Sequence, residues 1–543
     1  MLKTNQRVTF QIREMADHGY GVAYIGKDRL YVKQALIGER GSAVITKKLK
    51  QGYVGEVVCL HLQDAHRVKS PCVHYQSCGS CHLLHCAYER QLSLKRDMVC
   101  GWLKQAHLQS ICVRDVVGME HPYAYRNKVI VGFYKDKKRK IQVGFYEEFS
   151  HRIFPYQHCL LHEEVMDEIV HKIVQLMAQF RIEPYEEDRR RGFLRHVLLR
   201  KGTVTEEIMV VLVCAGTVFP GRKSFVQALS KSFPQVKTII QNVNTRKTSV
   251  VLGEQEQVLY GKGYIEDVLL GHRYRISSKS FYQINHQQCE VLYQKALSLL
   301  KLRGNERVLD AYCGIGTIGM SIAEKVGSVV GVESNQKAVN DAKENAQRNH
   351  VKNIRFVCDD ASDFMRRAAK ERQHFDVILM DPPRSGSTKE FMDACAMMKA
   401  KQIVYVSCDP RTQINDLTYF RSLGYCCDEM TLVDMFPNTM YVETVCLLSK
   451  LHSDQHIEVE LQMDELDLTA AESKATYEEI KDYVLENTGL KVSSLYIAQV
   501  KEKCGIIERV NYNLPKSENS RQPKCPPEKE AAIREALGYF RMI

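Results

Sequence analysis

Short apolar segments alternate with amphipathic ones between residues 271 and 450, and this alternation constrains the fold more than any other feature. The apolar segments have the length of buried β-strands, and the segments between them have helical spacing. Such alternation is typical of a mainly parallel sheet with helices on both faces, so we predict an α/β domain over 271–450. The predicted strands are 307–311, 329–333, 354–358, 376–380, 402–407 and 440–448, and two of the predicted helices are 317–326 and 335–349.

A glycine-rich turn, D-A-Y-C-G-I-G, follows the first of these strands and contains Tyr312 and Gly314. Glycine lets the backbone approach a ligand there, at the free N–H groups of a helix start. The next strand ends in Glu333, whose carboxylate is suited to the two hydroxyls of a ribose. The following strand ends in Asp359 and Asp360, either of which can reach an adenine amine. Such a turn is shared by dinucleotide and other nucleotide binders, and because the chain has no P-loop we expect S-adenosylmethionine, which has a ribose but no phosphate.

Three polar residues follow or lie in later strands of the predicted sheet. Cys408 follows the strand 402–407, Asp381 follows another strand in the motif D-P-P-R, and Glu443 lies in the last strand. Ligands of open α/β sheets bind beyond the carboxyl ends of the strands. We therefore predict that Cys408 and Asp381 lie beside the glycine turn.

The thiol of Cys408, the carboxylate of Glu443 and the predicted cofactor site together predict methylation at carbon 5 of a pyrimidine. A thiolate that adds to carbon 6 of uracil makes carbon 5 nucleophilic toward a methyl donor, and a base must then remove the carbon 5 proton. Cys408 suits the role of nucleophile and Glu443 that of base. D-P-P-R loops also serve enzymes that methylate amino groups, and the thiol separates the two chemistries.

Three further regions flank the predicted catalytic domain. Residues 1–60 alternate apolar and polar positions between glycines, which predicts a small OB-like β-barrel. Residues 61–270 predict a middle domain with a hairpin whose tip reads K-D-K-K-R-K, and residues 451–543 predict a helical extension of unknown role. The net charge of +11 and these basic clusters indicate binding to RNA.

Four cysteines of the middle domain have the grouping of a metal or cluster site. Cys72, Cys78 and Cys81 read C-x5-C-x2-C, and Cys159 follows at a distance. The chain has no apolar run that could span a bilayer and its start lacks a signal-peptide core, so we expect a cytoplasmic protein, in which disulfides are rare. The four thiolates fit a 4Fe–4S cluster or a structural zinc, and the spacing does not decide between them. Cys86 is a weaker candidate than Cys159.

These motifs resemble those of the bacterial uracil-5 RNA methyltransferases, in particular the RumA-type branch that acts on 23S rRNA. The resemblance covers about residues 1–450 and rests on S-C-D-P, D-P-P-R, the final Y-V-E and S-F-Y-Q-I-N at 280–285. It implies an N-terminal TRAM barrel, a central α+β domain with a 4Fe–4S cluster and a class I methyltransferase domain. The chain departs from the family's F-P-H-T pattern at Asn438, and it has Tyr441 where a histidine precedes the glutamate.

The resemblance also implies roles for individual residues. It gives Cys408 as nucleophile and Glu443 as base, and it places S-adenosylmethionine at Gln283, Glu333, Asp360 and Asp381 beside the glycine turn. It implies that the 4Fe–4S ligands are Cys72, Cys78, Cys81 and Cys159. Phe281 and Tyr282 are both candidates to stack on the target base.

The sequence thus predicts a monomeric enzyme that methylates carbon 5 of a uridine in RNA, with 23S rRNA as the expected substrate. A tRNA substrate is the nearest alternative. Methylation of a nucleobase amino group is a second, and it would not need Cys408. A non-enzymatic RNA-binding redox sensor is a third, and it would form no covalent adduct with RNA.

Overall fold

In the computed structural model, residues 2–148, 150, 152–246, 250–450, 477–504 and 525–540 are described. They form two compact units, one ending at residue 450 and one beginning at residue 477. Residues 451–476 and 505–524 of the predicted C-terminal extension lie outside the described residues.

The first unit begins with a six-stranded sheet in the order β1-β5-β6-β4-β3-β2. Its strands alternate buried and exposed positions, and the sheet curls so that β1 contacts β3 across an apolar core. Gly52, with a φ of 141°, starts β6 beside the carbonyl of Arg29, where a Cβ would lie 2.3 Å from that oxygen. The strands are β1 (Arg7–Gln11), β2 (Glu14–Met15), β3 (Gly21–Ile25), β4 (Asp28–Lys33), β5 (Arg40–Leu49) and β6 (Gly52–Leu62).

A seven-stranded mixed sheet follows in the order β10-β9-β8-β11-β12-β13-β14, and the helices α2 and α3 pack on one face. The predicted basic hairpin is β8 and β9. The elements of this part of the chain are α1 (Tyr88–Gln105), β7 (Cys112–Val117), β8 (Lys128–Lys135), β9 (Ile141–Tyr146), β10 (Ile153–Pro155), α2 (Glu164–Gln179), β11 (Leu194–Lys201), β12 (Ile208–Cys214), α3 (Arg222–Ser232), β13 (Val236–Val243) and β14 (Gln255–Gly261).

The rest of the first unit is a hairpin, β15 and β16, and a second mixed sheet in the order β19-β18-β17-β20-β21-β24-β23-β7. The elements are β15 (Ile265–Leu269), β16 (His272–Ile276), α4 (His286–Ser298), β17 (Arg307–Ala311), α5 (Thr317–Ala323), β18 (Ser328–Glu333), α6 (Gln336–Arg348), β19 (Ile354–Cys358), α7 (Ala361–Lys370), β20 (Val377–Met380), α8 (Lys389–Met397), β21 (Gln402–Ser407), α9 (Pro410–Ser422), β22 (Tyr425–Cys426), β23 (Glu429–Val433) and β24 (Glu443–Lys450).

The central strands of this sheet, β17 to β21, run parallel, and apolar cores cover both faces. Five of the six predicted strands occur within one residue of the predicted bounds. The last one, β24, begins at Glu443 rather than at residue 440, and it runs antiparallel to β21. Side-chain caps start the helices that follow the strands: Asn335 caps α6, Asp360 caps α7 and Asp409 caps α9.

One segment that the sequence places in the middle domain belongs to this sheet instead. Strand β7 pairs in parallel with β23 at the sheet edge, and α1 packs into the same core through Val99 and Leu103. The predicted middle domain of residues 61–270 therefore does not match the strand pairing, because residues 88–117 pack with the C-terminal sheet. The pairing joins residues more than 300 positions apart, which no local pattern reveals.

The second unit consists of three helices around a small apolar core that includes Ile480, Ile497 and Ile533. Its helices are α10 (Tyr477–Thr488), α11 (Ser494–Lys503) and α12 (Pro527–Tyr539). None of the described helices in either unit is both long and apolar enough to cross a membrane.

Candidate active site

The strand register brings the predicted nucleophile and the predicted base together. Ser407 at the end of β21 pairs with Thr444 of β24, the last pair of that ladder, and Cys408 and Glu443 each lie one residue beyond it at the same end. Thr444 Oγ1 also donates a hydrogen bond to the Ser407 carbonyl at 3.3 Å. Asp381 follows the neighbouring strand β20, and its charge acts on both Cys408 and Glu443. The three predicted residues therefore form one cluster at the carboxyl edge of the sheet.

Cys408 lies between the end of β21 and the start of α9. Asp409 caps that helix by accepting a hydrogen bond from the Arg411 N–H at 3.1 Å, and its own N–H donates to Ser407 Oγ at 3.1 Å. These bonds fix the backbone on the C-terminal side of the thiol. Burial raises the pKa of Cys408 to about 11, with the charges of Glu443 and Asp381 acting in the same direction. The resting group is therefore a thiol.

Both carboxyl groups of the cluster favour their protonated forms. Glu443 is 2% exposed, and burial followed by the charge of Asp381 raises its pKa to about 8. Burial also raises the pKa of Asp381 to about 7. A carboxylate with a raised pKa is a stronger base once it is ionised, which is the property required of a group that removes a carbon-bound proton.

Arg384, the last residue of D-P-P-R, is a member of the cluster that the sequence did not single out. Its positive charge lowers the pKa of both Cys408 and Glu443, opposing the effect of burial. It lies 5.3 Å from the ring centroid of Tyr441. Asp416 on α9 holds the loop by accepting the Ser387 N–H at 2.8 Å. In the sequence, the only indication of a role for Arg384 was its position directly after the two prolines of D-P-P-R.

The glycine turn has the geometry of a ligand-binding loop. Tyr312 has a φ of 64°, which is uncommon for a residue with a Cβ and marks a constrained backbone. A Cβ added at Gly314 would meet no atom within 4 Å, so this turn faces open space. Glu333 Oε2 accepts the Gly314 N–H at 3.2 Å, and Oε1 accepts the Asn335 N–H at 2.8 Å. The carboxylate is thus fixed beside the loop with further lone pairs for ribose hydroxyls.

Two other predicted cofactor residues occupy defined positions near this loop. Asp360 caps α7 by accepting the N–H groups of Ser362 and Asp363, and both bonds go to Oδ1. Asp359 is ion-paired with Arg367, which leaves Asp360 as the better candidate for an adenine amine. Gln283 is 8% exposed and precedes α4, whose buried Cys289 lies within reach of the charges of Asp381 and Glu443.

Comparisons with known proteins identify the family. The family model for tRNA (Uracil-5-)-methyltransferase matches residues 87–451. The chain belongs to this family. An RNA methyltransferase of Halalkalibacterium halodurans is 38% identical over 448 residues, covering 82% of this chain and 97% of the relative. An RNA methyltransferase of Staphylococcus aureus is 36% identical over 446 residues, covering 82% of this chain and 98% of the relative.

A solved structure is similar over a comparable share of the chain. The Pyrococcus abyssi tRNA (uracil-54, C5)-methyltransferase in complex with S-adenosyl-L-homocysteine is 26% identical, with a TM-score of 0.65, and the match covers 81% of this chain and 100% of that one. The prediction of a class I, S-adenosylmethionine-dependent RNA methyltransferase is confirmed.

At Asn438 this family member departs from the pattern stated above, and the structure shows what the asparagine does. Its φ is 66°, a left-handed conformation that asparagine tolerates well. Its side chain accepts from Gln91 Nε2 at 3.3 Å and donates to the Pro122 carbonyl at 2.8 Å. Its carbonyl accepts the N–H groups of His82 and Leu83. Asn438 therefore ties the loop before Glu443 to α1 and to the cysteine segment.

The four predicted ligand cysteines line one cavity. Cys72, Cys78, Cys81 and Cys159 surround it together with aromatic residues, whereas the buried Cys86 does not. The Arg126 guanidinium acts on the Cys81 and Cys159 thiols, and among the described residues its buried Nε has no hydrogen-bond partner. No three or more His, Cys, Asp or Glu side chains in the described ranges lie close enough together to share a single metal ion.

Proposed function

We propose that this enzyme methylates carbon 5 of a uridine through covalent addition of Cys408 to carbon 6. The observation that carries the proposal is that Cys408 and Glu443 lie next to the paired residues Ser407 and Thr444, where the charges of Asp381 and Arg384 act on both. An amino-group methyltransferase needs no thiol at this place. S-adenosylmethionine supplies the methyl group, and Gln283, Tyr312, Gly314, Glu333, Asp360 and Asp381 are the residues proposed to contact it.

The addition chemistry sets the order of the proton movements. Cys408 must lose its proton to solvent before it adds to carbon 6, and the Arg384 charge favours the thiolate. The carbon 6–sulfur bond then forms and carbon 5 gains its methyl group. Glu443 removes the proton from carbon 5, the carbon 6–sulfur bond breaks, and the ring double bond returns. The net products are a 5-methyluridine, the demethylated cofactor and one proton.

Phe281 is the residue proposed to stack on the target base. It is 68% exposed and lies two residues before Gln283. The Tyr282 hydroxyl instead donates to Asp267 at 3.2 Å, and its ring packs against apolar cores. Moving a base out of its stack requires a few kcal/mol, and stacking on an exposed ring offsets part of that.

The cysteine cavity is the proposed site of the 4Fe–4S cluster. Each cysteine of such a cluster binds a different iron, so the four sulfurs lie further apart than the donors of one ion, which agrees with the lack of a compact single-ion site. The positive charge of Arg126 acts on the Cys81 and Cys159 thiols, which favours an anionic group bound by them. When bound, the cluster supplies a covalent link between residues 72–81 and Cys159.

The RNA class has two candidates. The sequence motifs favour 23S rRNA, whereas the family description and the similar Pyrococcus structure name tRNA. We propose 23S rRNA first and tRNA second. In either case the curled N-terminal sheet is the proposed TRAM domain, and the exposed Lys48 and Lys50 at the β5–β6 turn are proposed phosphate contacts.

Transcripts that contain 5-fluorouridine test the proposal directly. Fluorine on carbon 5 cannot leave as a proton, so the bond between Cys408 and the RNA should persist through denaturing electrophoresis. Mass mapping of a methylated adduct to Cys408 is the expected result, and sequencing the trapped RNA distinguishes 23S rRNA from tRNA. Methylation of natural RNA without any adduct would instead identify an amino-group methyltransferase.

A further inference from the structure

Two cations lie side by side on adjacent strands of the seven-stranded sheet. Lys128 of β8 and Arg200 of β11 are direct partners in the antiparallel register. Like charges at opposed positions repel each other, so a sheet seldom keeps them unless something compensates. Neither residue forms an ion pair with a carboxylate in the part of the chain that the structure describes, and burial together with the Arg200 charge lowers the pKa of Lys128.

Arg200 also has an unused hydrogen-bond donor. Its side chain is buried, with 7% exposure, and one terminal nitrogen donates to the Ser280 carbonyl at 2.6 Å. Its Nε is buried and has no hydrogen-bond partner among the described residues. A buried guanidinium normally satisfies its donors, so this one lacks an acceptor as well as an opposite charge. Lys128, by contrast, is only half-buried and remains accessible from solvent.

The cation pair lies directly under the segment that carries the proposed base-stacking residue. Asn127, next to Lys128, donates its side-chain amide to the Gln283 carbonyl at 2.8 Å and its N–H to the Ile284 carbonyl at 2.9 Å. Arg200 holds the same segment at Ser280. Phe281 projects from this segment with 68% exposure. Any anion bound at the pair is thus held close to the proposed position of the target base.

We propose that Lys128 and Arg200 bind a backbone phosphate of the RNA next to the target uridine. A phosphate supplies the missing negative charge, and an RNA strand carries one beside every base. The contact would place the flipped nucleotide relative to Phe281 and Cys408. This inference rests on the proposed function, because it takes the RNA strand that enters the Cys408 site as its ligand.

The test uses the full-length enzyme and a transcript that the wild-type enzyme methylates. Lys128→Gln is the principal variant, because a half-exposed lysine is replaced with little disturbance of the core. Lys325→Gln is the matched control: Lys325 is exposed and precedes β18, at the amino ends of the parallel strands. Arg200→Lys keeps the charge but not the bond to Ser280. Thermal denaturation and S-adenosylmethionine binding are measured for every variant.

We expect Lys128→Gln to weaken RNA binding severalfold and to reduce the slope of log Kd against log salt by about one. Lys325→Gln should match the wild type. A neutral methylphosphonate at the phosphate beside the target uridine should weaken wild-type binding but weaken Lys128→Gln little further, since both changes remove one interaction. The fluorouridine adduct of the wild type is measured in the same preparations.

Three outcomes overturn the inference. An unchanged salt slope in Lys128→Gln shows that the lysine does not contact phosphate. Fully additive effects of Lys128→Gln and the methylphosphonate at every position around the uridine show that the contact lies elsewhere. Weaker S-adenosylmethionine binding with unchanged RNA binding assigns the pair to the cofactor carboxylate. If the wild type forms no adduct with Cys408, the proposed function fails first, and this result is distinguishable from the other three.

Discussion

The active-site edge and the cysteine cavity both contain cysteine thiols, and the charges around those thiols differ. At the active site, Cys408 lies with two carboxyl groups and one arginine, and the pKa of the thiol is raised. In the cavity, four cysteines and several aromatic side chains form the lining, burial also raises the pKa of the Cys81 and Cys159 thiols, and the Arg126 charge opposes that rise. The first arrangement keeps a single thiol neutral until substrate arrives. The second groups four sulfur donors around one cavity beside a positive charge, which suits a permanently bound anionic group.

The strongest test of this comparison removes the active-site thiol. Cys408→Ala should lower methylation by at least about 10³-fold, since the residue forms the covalent bond on which the later steps depend. Single-turnover assays with a labelled methyl donor measure the effect. Cys59→Ala is the control, because Cys59 is an exposed cysteine in the N-terminal sheet. Substantial methylation by Cys408→Ala would show that the thiol is structural and would support amino-group methylation.

The second test separates the roles of the thiol and the carboxyl group. Glu443→Gln should lower turnover by about 10²- to 10⁴-fold, the usual contribution of a general base. It should leave addition and methyl transfer possible, so natural RNA should accumulate as a methylated covalent complex. Denaturing gels of enzyme with unmodified transcript measure this complex. A slow variant that accumulates no complex would place Glu443 before methyl transfer rather than after it.

The cavity is tested by a matched pair of alanine variants. Cys81→Ala should lose most of the bound iron and sulfide and the associated visible absorbance, because a proposed cluster ligand is removed. Cys86→Ala should retain them, although Cys86 lies only five residues away, because it does not line the cavity. Iron and sulfide are quantified on protein purified without oxygen. Equal iron content in the two variants would contradict the assignment of the cavity.

Much of this arrangement was predictable from the sequence because its determinants are local. The glycine turn, Cys408 and Asp381 each follow the end of a strand. Because ligands of such sheets bind at the carboxyl edge, the sequence predicts that these residues lie together. Arg384 was missed because its contact with Cys408 depends on a loop held by Asp416, which lies 32 residues further along the chain. The pairing of β7 with β23 was missed for the same reason: the partners are remote in sequence.

The cation pair shows a different limit of sequence reasoning. Strand β11 is buried along all eight of its residues, so Arg200 occurs in a segment without the polar–apolar alternation of a half-exposed strand. Nothing local distinguishes it from Arg195, whose charge is paired with Glu187 and lies over the ring of Tyr185. Only the register of β8 with β11 shows that Arg200 faces Lys128.

The smallest expected effect concerns the pH dependence of the active site. Glu443 must be ionised to act as a base, and its pKa is raised to about 8, so kcat/KM should rise with pH through about 8 in the wild type. The Arg384 charge lowers the pKa of Glu443, so Arg384→Gln should move this rise to higher pH as well as lowering the rate. Lys389→Gln, on the exposed start of α8, is the control for loss of one positive charge. An Arg384→Gln rate profile that coincides with that of the wild type would mean that the guanidinium acts on the Cys408 thiol alone.

The same carboxyl group should also affect stability. Because the protonated form of Glu443 is favoured in the folded protein, Glu443 should lower the free energy of unfolding as pH rises from about 4.5 to about 8. Glu443→Gln should abolish that decrease, and denaturant titrations at the two ends of this range measure it.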